Sequence, residues 1–407
     1  MGLFVVVIAA FAVPFVLGLF PAVKLPTVVA EIIVGIILGP SVLGWVTVDL
    51  PIQLLSVLGL AMLFMLAGLE VDLEGLRGRR LALASGGLAV SLVLAATVAG
   101  LLAVTGAVDS PVLVAIILIT SALGIVVAVL KDAGVADTEA GQLIIAGATL
   151  GDVSAVILLS VVFSTGGGGP GAAVALIVAL VVTMVVLLSI AGRVAGLARV
   201  MGEFTRLADT TAQIRVRGVI ALLIGFLALA SALSVETLLG AFLAGLLLGW
   251  LDRGGERVRP VFRAKLDGIG FGFLIPVFFV TSGLQFDLGA LLGDRSALLL
   301  VPLFVVALLV VRGVPALLYR GAIGTREVAA AALLQATTLP FVVAATALGS
   351  ELGLVSPAVA AALVAAGLLS VLFFPLIALG LFHRPGDAVS PEPSPPCLLY
   401  TSDAADE

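Results

Sequence analysis

The sequence predicts an all-α polytopic membrane protein with about thirteen transmembrane helices. Hydrophobic residues make up 62% of the 407 residues, charged residues only 11%, and the mean hydropathy is +1.33. Soluble globular domains have far more charged residues than this. The apolar residues form runs close to the ~20 residues that a helix needs to cross a bilayer. Glycine, at 47 residues, is abundant, as expected where helices pack closely in lipid.

The apolar segments follow one another with short polar loops between them. No basic flank precedes the first segment and no small-residue cleavage site follows it, so we interpret it as a helix and not as a removed signal peptide. The predicted segments cover residues 2–21, 25–45, 51–69, 80–106, 110–131, 140–165, 171–193, 212–232, 234–251, 268–284, 296–319, 325–348 and 355–382.

The basic residues test this count independently, because cytoplasmic loops carry an excess of lysine and arginine. Seventeen of the 20 Lys and Arg residues fall in odd-numbered loops, and Arg295 alone falls in an even-numbered loop. Arg312 lies within the eleventh segment and Arg384 follows the last. The asymmetry predicts an amino terminus outside the cell and a carboxyl terminus in the cytoplasm.

The carboxyl-terminal residues differ from the rest of the chain. Residues 384–396 are rich in Pro and Ser and are predicted to form a flexible linker. The segment Cys397–Glu407 looks like a translated sequencing adapter, so we expect it to be an artefact and a cytoplasmic regulatory domain to be missing. It contains the only Cys, which rules out an intrachain disulfide.

An internal repeat divides the membrane part, residues 1–383, into two halves. Three pairs of segments match in the same order at offsets of 205 to 216 residues: Ala30–Gly35 with Val235–Gly240, Phe64–Leu73 with Phe279–Leu288, and Leu123–Ala128 with Leu339–Ala344. The matched helices are seven apart, and an odd offset makes the two copies cross the membrane in opposite directions. We therefore predict inverted six-helix repeats at about 1–165 and 212–383, with residues 171–193 as the connector, which is typical of secondary transporters.

Asp152 is the first candidate functional residue. It is the only carboxylate in the apolar run from Gly141 to Phe163, and the corresponding segment of the second copy, 355–382, has no charged residue. A charged side chain at mid-membrane is costly and usually functional. A buried carboxylate can bind Na⁺ or K⁺ when deprotonated and release it when protonated. Competition at this one group would exchange a metal ion for a proton without any cofactor.

Two matched helices are predicted to be interrupted beside this acid. Pro340 removes a backbone donor and disfavours helix just before it, and Gly124 occupies the equivalent place in the first copy. Polar residues beside a break can offer hydroxyl and carbonyl oxygens to a cation, although such hydroxyls also bond to carbonyls of their own helix. The candidate cation ligands, besides Asp152, are Thr120, Ser121, Gln335, Thr337 and Thr338.

Arg312 is the expected charge partner of Asp152. Arginine stays protonated when buried, so it cannot carry the exchanged proton. It could pair with Asp152 in the empty site or hold the carbonyl ends of the half-helices. We interpret the other acids as interfacial or packing residues (Glu31 and Glu236) and as water-facing caps (Glu70, Asp72 and Asp287). The single His383 lies at the membrane exit, which excludes a histidine proton relay.

Several segments of the chain resemble the monovalent cation:proton antiporter-2 family, which includes Kef-type potassium and NapA-type sodium antiporters. These are Ala30–Ser41, Phe64–Glu70, Leu150–Val153 and Pro276–Gly283, and the resemblance covers residues 1–383. It implies a core of segments 5, 6, 12 and 13 that moves by an elevator-like motion against a dimerisation domain, and hence a homodimer. Asp152 matches the family's ion-binding aspartate, and Arg312 falls where many members place a basic residue.

One position departs from the family pattern. Members usually have Asp, Asn or Gln directly before the aspartate, whereas this chain has Gly151. A single titratable carboxylate favours one proton per cation, which makes the exchange electroneutral. The Asp-Pro pair that related exchangers often carry in the fifth helix is absent as well.

The expected function is exchange of Na⁺ or K⁺ for H⁺ across a prokaryotic inner membrane, with lipid and a second copy as partners and no nucleic acid. One alternative is a Kef-type potassium efflux system gated by a nucleotide-binding domain. Another is a sodium-coupled organic-anion symporter, which should have more polar residues for a substrate pocket. An intramembrane enzyme would need a Ser–His, paired-Asp or metal-ligand set at mid-membrane, and the sequence shows none.

Overall fold

The computed structural model describes residues 1–20, 25–71, 78–163, 213–233, 235–251 and 259–382, and over these ranges the chain is all-helical without strands. The predicted connector at 171–193, Asp72, His383, the linker and the adapter-like segment lie outside them. The first eight helices are α1 (Gly2–Leu19), α2 (Thr27–Leu38), α3 (Leu50–Glu70), α4 (Gly78–Val104), α5 (Pro111–Leu118), α6 (Leu123–Asp132), α7 (Glu139–Phe163) and α8 (Ile214–Ala232). The remaining helices are α9 (Thr237–Leu251), α10 (Arg259–Ile269), α11 (Ile275–Leu284), α12 (Leu288–Gly293), α13 (Arg295–Leu308), α14 (Thr325–Gln335), α15 (Pro340–Glu351) and α16 (Pro357–Phe382).

The helices match the predicted membrane segments. In the described ranges, ten helical stretches are long and apolar enough to span a bilayer, and α2 and α9 are shorter apolar helices. Each coincides with a predicted segment, so the polytopic all-α fold class is confirmed. The thirteenth predicted segment is the connector, which the described residues do not include, and the count of thirteen stays a prediction.

Two of the spans are broken in the middle, as the sequence predicts. Helix α5 ends at Leu118 and α6 begins at Leu123, while α14 ends at Gln335 and α15 begins at Pro340. We call residues 119–122 the first break and residues 336–339 the second break. Pro340 is the first residue of α15, where its missing N–H costs nothing because the first helical amides have no intrahelical acceptor.

The span that carries Arg312 is also irregular. A π-helical turn at Leu309–Gly313 follows α13, and a 3₁₀ segment at Val314–Gly321 continues it. Pro315 stands near the start of the 3₁₀ segment, where no regular α-helical bond can continue. Single π turns inside helices often occur at functional positions. Here the turn carries Arg312, whose side chain is only 1% exposed.

Contacts between loops agree with the predicted grouping into two sides. The carbonyl of Gly321, at the end of the eleventh segment, accepts a hydrogen bond from Arg79 at 2.8 Å, and both belong to odd-numbered loops. Arg263 and Glu70, again at odd-numbered loops, form an ion pair at 3.1 Å. The Ser41 hydroxyl donates to the Phe286 carbonyl at 2.7 Å between two even-numbered loops. The alternation inferred from the basic residues is therefore compatible with these contacts.

Helix pairs from the two predicted repeats pack against each other reciprocally. Helix α2 packs on α11, and α3 packs on α9. In the predicted repeat α2 matches α9 and α3 matches α11, so exchanging the copies maps one contact onto the other. Gly283 of α11 and its sequence match Gly68 of α3 both lie where a Cβ atom would overlap the facing backbone. These contacts support the inverted repeat, which remains a prediction.

Candidate functional site

Asp152 lies on α7 and points at the first break. Its Oδ1 accepts a hydrogen bond from the backbone N–H of Ser121 at 2.7 Å, and its Oδ2 accepts one from the N–H of Leu123 at 3.3 Å. Leu123 is the first residue of α6, so the carboxylate caps a half-helix whose positive dipole end favours a negative charge. The side chain is half-buried, and each carboxylate oxygen keeps further acceptor capacity.

The two breaks cross and bond directly to each other. The N–H of Ala122 donates to the Thr337 carbonyl at 2.7 Å. The hydroxyls of Thr120 and Thr338 are 2.7 Å apart, and the Ser121 hydroxyl donates to the Gln335 carbonyl at 2.6 Å. Polar groups at each break, including backbone groups without a helical partner, thus find partners at the other break, as membrane-buried polar groups require.

The second break has its own acceptor on α16. The N–H of Thr338 donates to Oγ of Ser370 at 3.1 Å, and that hydroxyl lies 2.9 Å from the Thr338 carbonyl and 2.8 Å from the Gly367 carbonyl. Ser370 is fully buried. Helix α16 therefore supports the second break from the position in which α7 supports the first, with a neutral hydroxyl instead of a carboxylate.

Arg312 holds backbone and hydroxyl oxygens around the breaks and does not contact Asp152. Its Nη2 donates to Oγ of Ser121 at 2.9 Å and to the Gly147 carbonyl at 2.8 Å. Its Nε and Nη1 make longer bonds to the Gln335 carbonyl, at 3.4 Å, and to the Ser91 hydroxyl, at 3.5 Å. Two roles were expected for Arg312: pairing with Asp152, or holding the carbonyl ends of the half-helices. The hydrogen bonds match the second role.

A cavity of about 700 Å³ opens onto Asp152. It is lined by residues of the first break and α6, by Pro340 and Phe341 at the start of α15, and by Glu70 at the end of α3. Its surface is mostly apolar, and among the described residues that line it Asp152 and Glu70 are the carboxylates. Among the predicted cation ligands, Asp152 and Ser121 line this cavity.

The other predicted ligands lie behind the cavity and hold the breaks together. Thr120, Thr337, Thr338 and Gln335 are at most 1% exposed. The Thr337 hydroxyl bonds to the Leu333 carbonyl of its own helix at 3.0 Å, which is the alternative expected for such residues. The Gln335 side chain donates from Nε2 to the Tyr319 hydroxyl at 3.0 Å.

The remaining acids fall into different settings. Asp287 accepts from the N–H of Ala290 at 2.7 Å and caps α12, as expected. Glu31 is 3% exposed and packs inside the protein, and Glu236 accepts from the Thr237 hydroxyl at 3.3 Å just before α9. The expectation that Glu70 is a water-facing cap is wrong. Its side chain is only 21% exposed, lines the cavity and pairs with an arginine of α10 that is distant in sequence.

The sequence reasoning missed three polar residues of this network: Ser91, Tyr319 and Ser370. Each is isolated among apolar residues of its own helix, a pattern that does not distinguish a network member from a hydroxyl bonded to its own backbone. For Ser370 a signal existed. It stands in the repeat at nearly the same distance after the second break as Asp152 stands after the first.

Comparison with known proteins identifies the family. The family model described as sodium/hydrogen exchanger, transmembrane, matches residues 6–379. YjbQ of Bacillus subtilis (strain 168), named as a candidate Na⁺/H⁺ antiporter, is 33% identical over 398 residues; the match covers 94% of this chain and 63% of that protein. Probable Na⁺/H⁺ antiporter 3 of Methanocaldococcus jannaschii is 27% identical over 384 residues, covering 93% of this chain and 95% of that one.

A solved structure shows the same fold. The sodium proton antiporter MjNhaP1 from Methanocaldococcus jannaschii matches with a TM-score of 0.60 and 16% identity, over 94% of this chain and 100% of that one. The family described by the matching model consists of membrane transporters and not of enzymes. On the match of the family model to nearly the whole membrane part, this chain belongs to the transmembrane sodium/hydrogen exchanger family.

Proposed function

We propose that this chain is a secondary active transporter that exchanges Na⁺ or K⁺ for H⁺ across the cytoplasmic membrane. The observation that carries this proposal is the carboxylate of Asp152. It lies at mid-span, faces a cavity, and is held by two backbone N–H groups of a broken helix. The relatives are named as Na⁺/H⁺ antiporters, which favours Na⁺ and H⁺ as the exchanged ions.

Exchange follows from competition for one group. The carboxylate accepts from Ser121 and Leu123 through one lone pair on each oxygen, so others remain for a proton or for a cation in the cavity. Proton and cation bind to the same negative charge, and each displaces the other. Coupled transport then requires only that the site open to the two sides of the membrane in turn.

The residues that line the cavity support a side to which this state is open. Glu70 lines the cavity and lies at the end of α3, next to an odd-numbered loop. The odd-numbered loops carry most of the basic residues and are proposed to be cytoplasmic. The conformation is accordingly inward-facing in this proposal, with the amino terminus outside the cell. The inverted repeats, the elevator-like motion and the homodimer belong to the same proposal.

An electroneutral cycle is the simplest stoichiometry for this site. Glu70 is already paired with Arg263, and Arg312 stays protonated throughout. Among the described residues that line the cavity, this leaves Asp152 as the group that can exchange one proton for one monovalent cation. We infer a ratio of one to one. If it holds, an imposed membrane potential changes the initial exchange rate little.

The test is a pH-jump fluorescence assay in proteoliposomes, run separately with Na⁺ and K⁺. We expect Asp152→Asn to abolish exchange and Arg312→Lys only to weaken it. Asp287→Asn is the matched control, because it makes the same chemical change at a helix cap outside the membrane core. Exchange retained in Asp152→Asn at the wild-type rate would place the carrier elsewhere. The comparison of the two cations decides between sodium exchange and a potassium efflux system.

A further inference from the structure

The guanidinium group of Arg312 occupies the space that a side chain at position 151 would need. A Cβ atom at position 151 would lie 2.7 Å from Nη2 of Arg312 and 2.8 Å from the carbonyl oxygen of Ile119. Interiors are close-packed, so an added atom at such a distance forces its neighbours to move. The glycine thus leaves room for the arginine.

Arg312 and Asp152 are connected through Ser121. The guanidinium donates to the Ser121 hydroxyl at 2.9 Å, while the backbone N–H of the same serine donates to Asp152 at 2.7 Å. Ser121 belongs to the first break, so helical hydrogen bonds do not fix its backbone. The direction of its N–H is therefore set by the bond of the neighbouring Ala122 N–H to the Thr337 carbonyl and by the bonds that the Ser121 side chain makes to Arg312 and to the Gln335 carbonyl.

We propose that Arg312 is a positioning residue that acts on Asp152 through Ser121, and that Gly151 is the position whose missing side chain admits it. This inference rests on the proposed exchange at Asp152. None of the oxygens that Arg312 binds belongs to Asp152. The guanidinium therefore keeps its partners whether Asp152 binds a proton or a cation, and it supplies a constant positive charge that the cation does not have to displace.

The charge and the positioning have separable consequences. In the described residues, Arg312 and Glu70 are the charged groups that act on Asp152, and Tyr319 is the other titratable group beside Arg312. Glu70 is held by Arg263. Loss of the charge at position 312 favours the protonated form of Asp152, so exchange should begin at higher pH. Loss of the planar fork alone should weaken cation binding and leave the pH profile in place.

The experiment is a double-mutant cycle with Arg312→Gln and Ser121→Ala, measured as apparent cation affinity in the proteoliposome assay. Each single variant should weaken the affinity by about tenfold, because each removes a charge-assisted hydrogen bond. The double variant should be no weaker than Arg312→Gln alone. Losses that multiply to about a hundredfold would show that the two residues act independently and would overturn the connection through Ser121. Thr346→Ala is the matched control, since this buried hydroxyl bonds only to carbonyls of its own helix.

Two further variants test the charge and the space. Arg312→Gln should move the pH of half-maximal exchange upward by about one unit, whereas Arg312→Lys should leave it unchanged; an unmoved profile in Arg312→Gln would contradict an action on Asp152. Gly151→Ala displaces the guanidinium but keeps its charge, so it should weaken cation affinity as Arg312→Lys does, leave the pH profile in place, and add little to Arg312→Gln. If the two losses of affinity multiply in the double variant, the glycine makes room for the Ile119 carbonyl and not for Arg312. That outcome would overturn this part of the proposal. Thermal unfolding in detergent identifies a variant that does not fold. If Gly151→Ala does not fold, the cycle with Ser121→Ala still decides; if Arg312→Gln does not fold, Arg312→Lys replaces it in that cycle.

The same assay separates this inference from the proposed function. Exchange retained in Asp152→Asn would overturn both. An inactive Asp152→Asn together with independent effects of Arg312 and Ser121 would leave the exchange at Asp152 intact and overturn only the positioning role.

Discussion

The two breaks are closed by different groups placed at nearly the same spacing. At the first break, Asp152 accepts from Ser121, 31 residues before it; at the second, Ser370 accepts from Thr338, 32 residues before it. Both acceptors lie on the helix that follows the broken span, α7 in one case and α16 in the other. The backbone problem is the same in both places, since a break inside a membrane frees N–H groups that need an acceptor.

The difference lies in what each acceptor can still do. The Ser370 hydroxyl accepts from Thr338, its one hydrogen is directed at two carbonyls, and it is fully buried and uncharged. Asp152 is half-buried, faces the cavity, and can accept more bonds than its two N–H donors use. The acceptor at the second break therefore only holds the break, whereas the acceptor at the first break holds the break and, in our proposal, the ions.

Replacing Asp152 by serine makes the first break resemble the second, and this is the largest effect we expect. The serine hydroxyl can still accept a bond from the Ser121 N–H, but it carries no charge for a cation. Exchange should fall to the level of empty liposomes, while the protein still elutes as a folded species in detergent. The measurement is pH-jump fluorescence beside gel filtration of the same preparation.

A carboxylate restored at the same place is the control for this comparison. Asp152→Glu keeps the charge and lengthens the side chain by one methylene, so part of the exchange should remain. If Asp152→Ser exchanges ions at a rate near that of the wild type, the carboxylate at the first break is not needed for exchange. The distinction between an ion-binding break and a structural break is then wrong.

The outline of this comparison can be predicted from the sequence, because its signals are local. Pro340, Gly124 and the polar residues before them indicate the two breaks, and Asp152 is conspicuous as the only acid of its span. The partners across the protein leave no such mark. Arg312 was expected near Asp152, but its bonds to backbone carbonyls of two other spans depend on the crossing of the breaks and on the π turn that aims the side chain.

Glu70 shows a second reason why sequence reasoning falls short. It follows a short apolar segment and has the pattern of a water-facing cap, yet Arg263, which lies 193 residues later, pairs with it. The cavity beneath it exists because α2, α3, α6, α7, α9, α11, α15 and α16 meet there. Which residues line a cavity between eight helices is set by their packing, and apolar segments of similar composition do not encode that packing in any local pattern.

Ser370→Ala tests whether the second break is structural. The change leaves the Thr338 N–H without its buried acceptor, so the free energy of unfolding should fall by about 1–3 kcal/mol. Exchange should slow by less than about tenfold, because the group that binds the ions is untouched. Thermal unfolding in detergent measures the first effect, and the proteoliposome assay measures the second.

Ser282→Ala on α11 is the control for the loss of a hydroxyl, because that serine bonds only to the Phe278 carbonyl of the same span. A complete loss of exchange in a folded Ser370→Ala protein would contradict a purely structural role for the second break. The two repeats would then both take part in ion binding, despite the single carboxylate.

The Thr120 and Thr338 hydroxyls should depend to different extents on the hydrogen bond between them. A pair of valine substitutions can show this difference. The Thr120 hydroxyl bonds to Thr338 at 2.7 Å and to the Ile117 carbonyl at 2.7 Å, whereas the Thr338 hydroxyl has Thr120 as its hydrogen-bond partner. Thr120→Val strands a buried hydroxyl and should cost about 1–3 kcal/mol of stability. Thr338→Val removes that hydroxyl and leaves Thr120 bonded to its own helix, so it should cost less, below about 1 kcal/mol.

Valine keeps the shape of threonine, so packing changes little in either variant, and thermal unfolding in detergent compares the two directly. The double variant should be no less stable than Thr120→Val, since no hydroxyl is then left without a partner. Equal losses in the two single variants would mean that both hydroxyls depend on the contact alike. Each break would then depend on this hydrogen bond for its stability to the same extent. The two breaks would differ in the acceptor on the following helix, Asp152 or Ser370, and not in this contact.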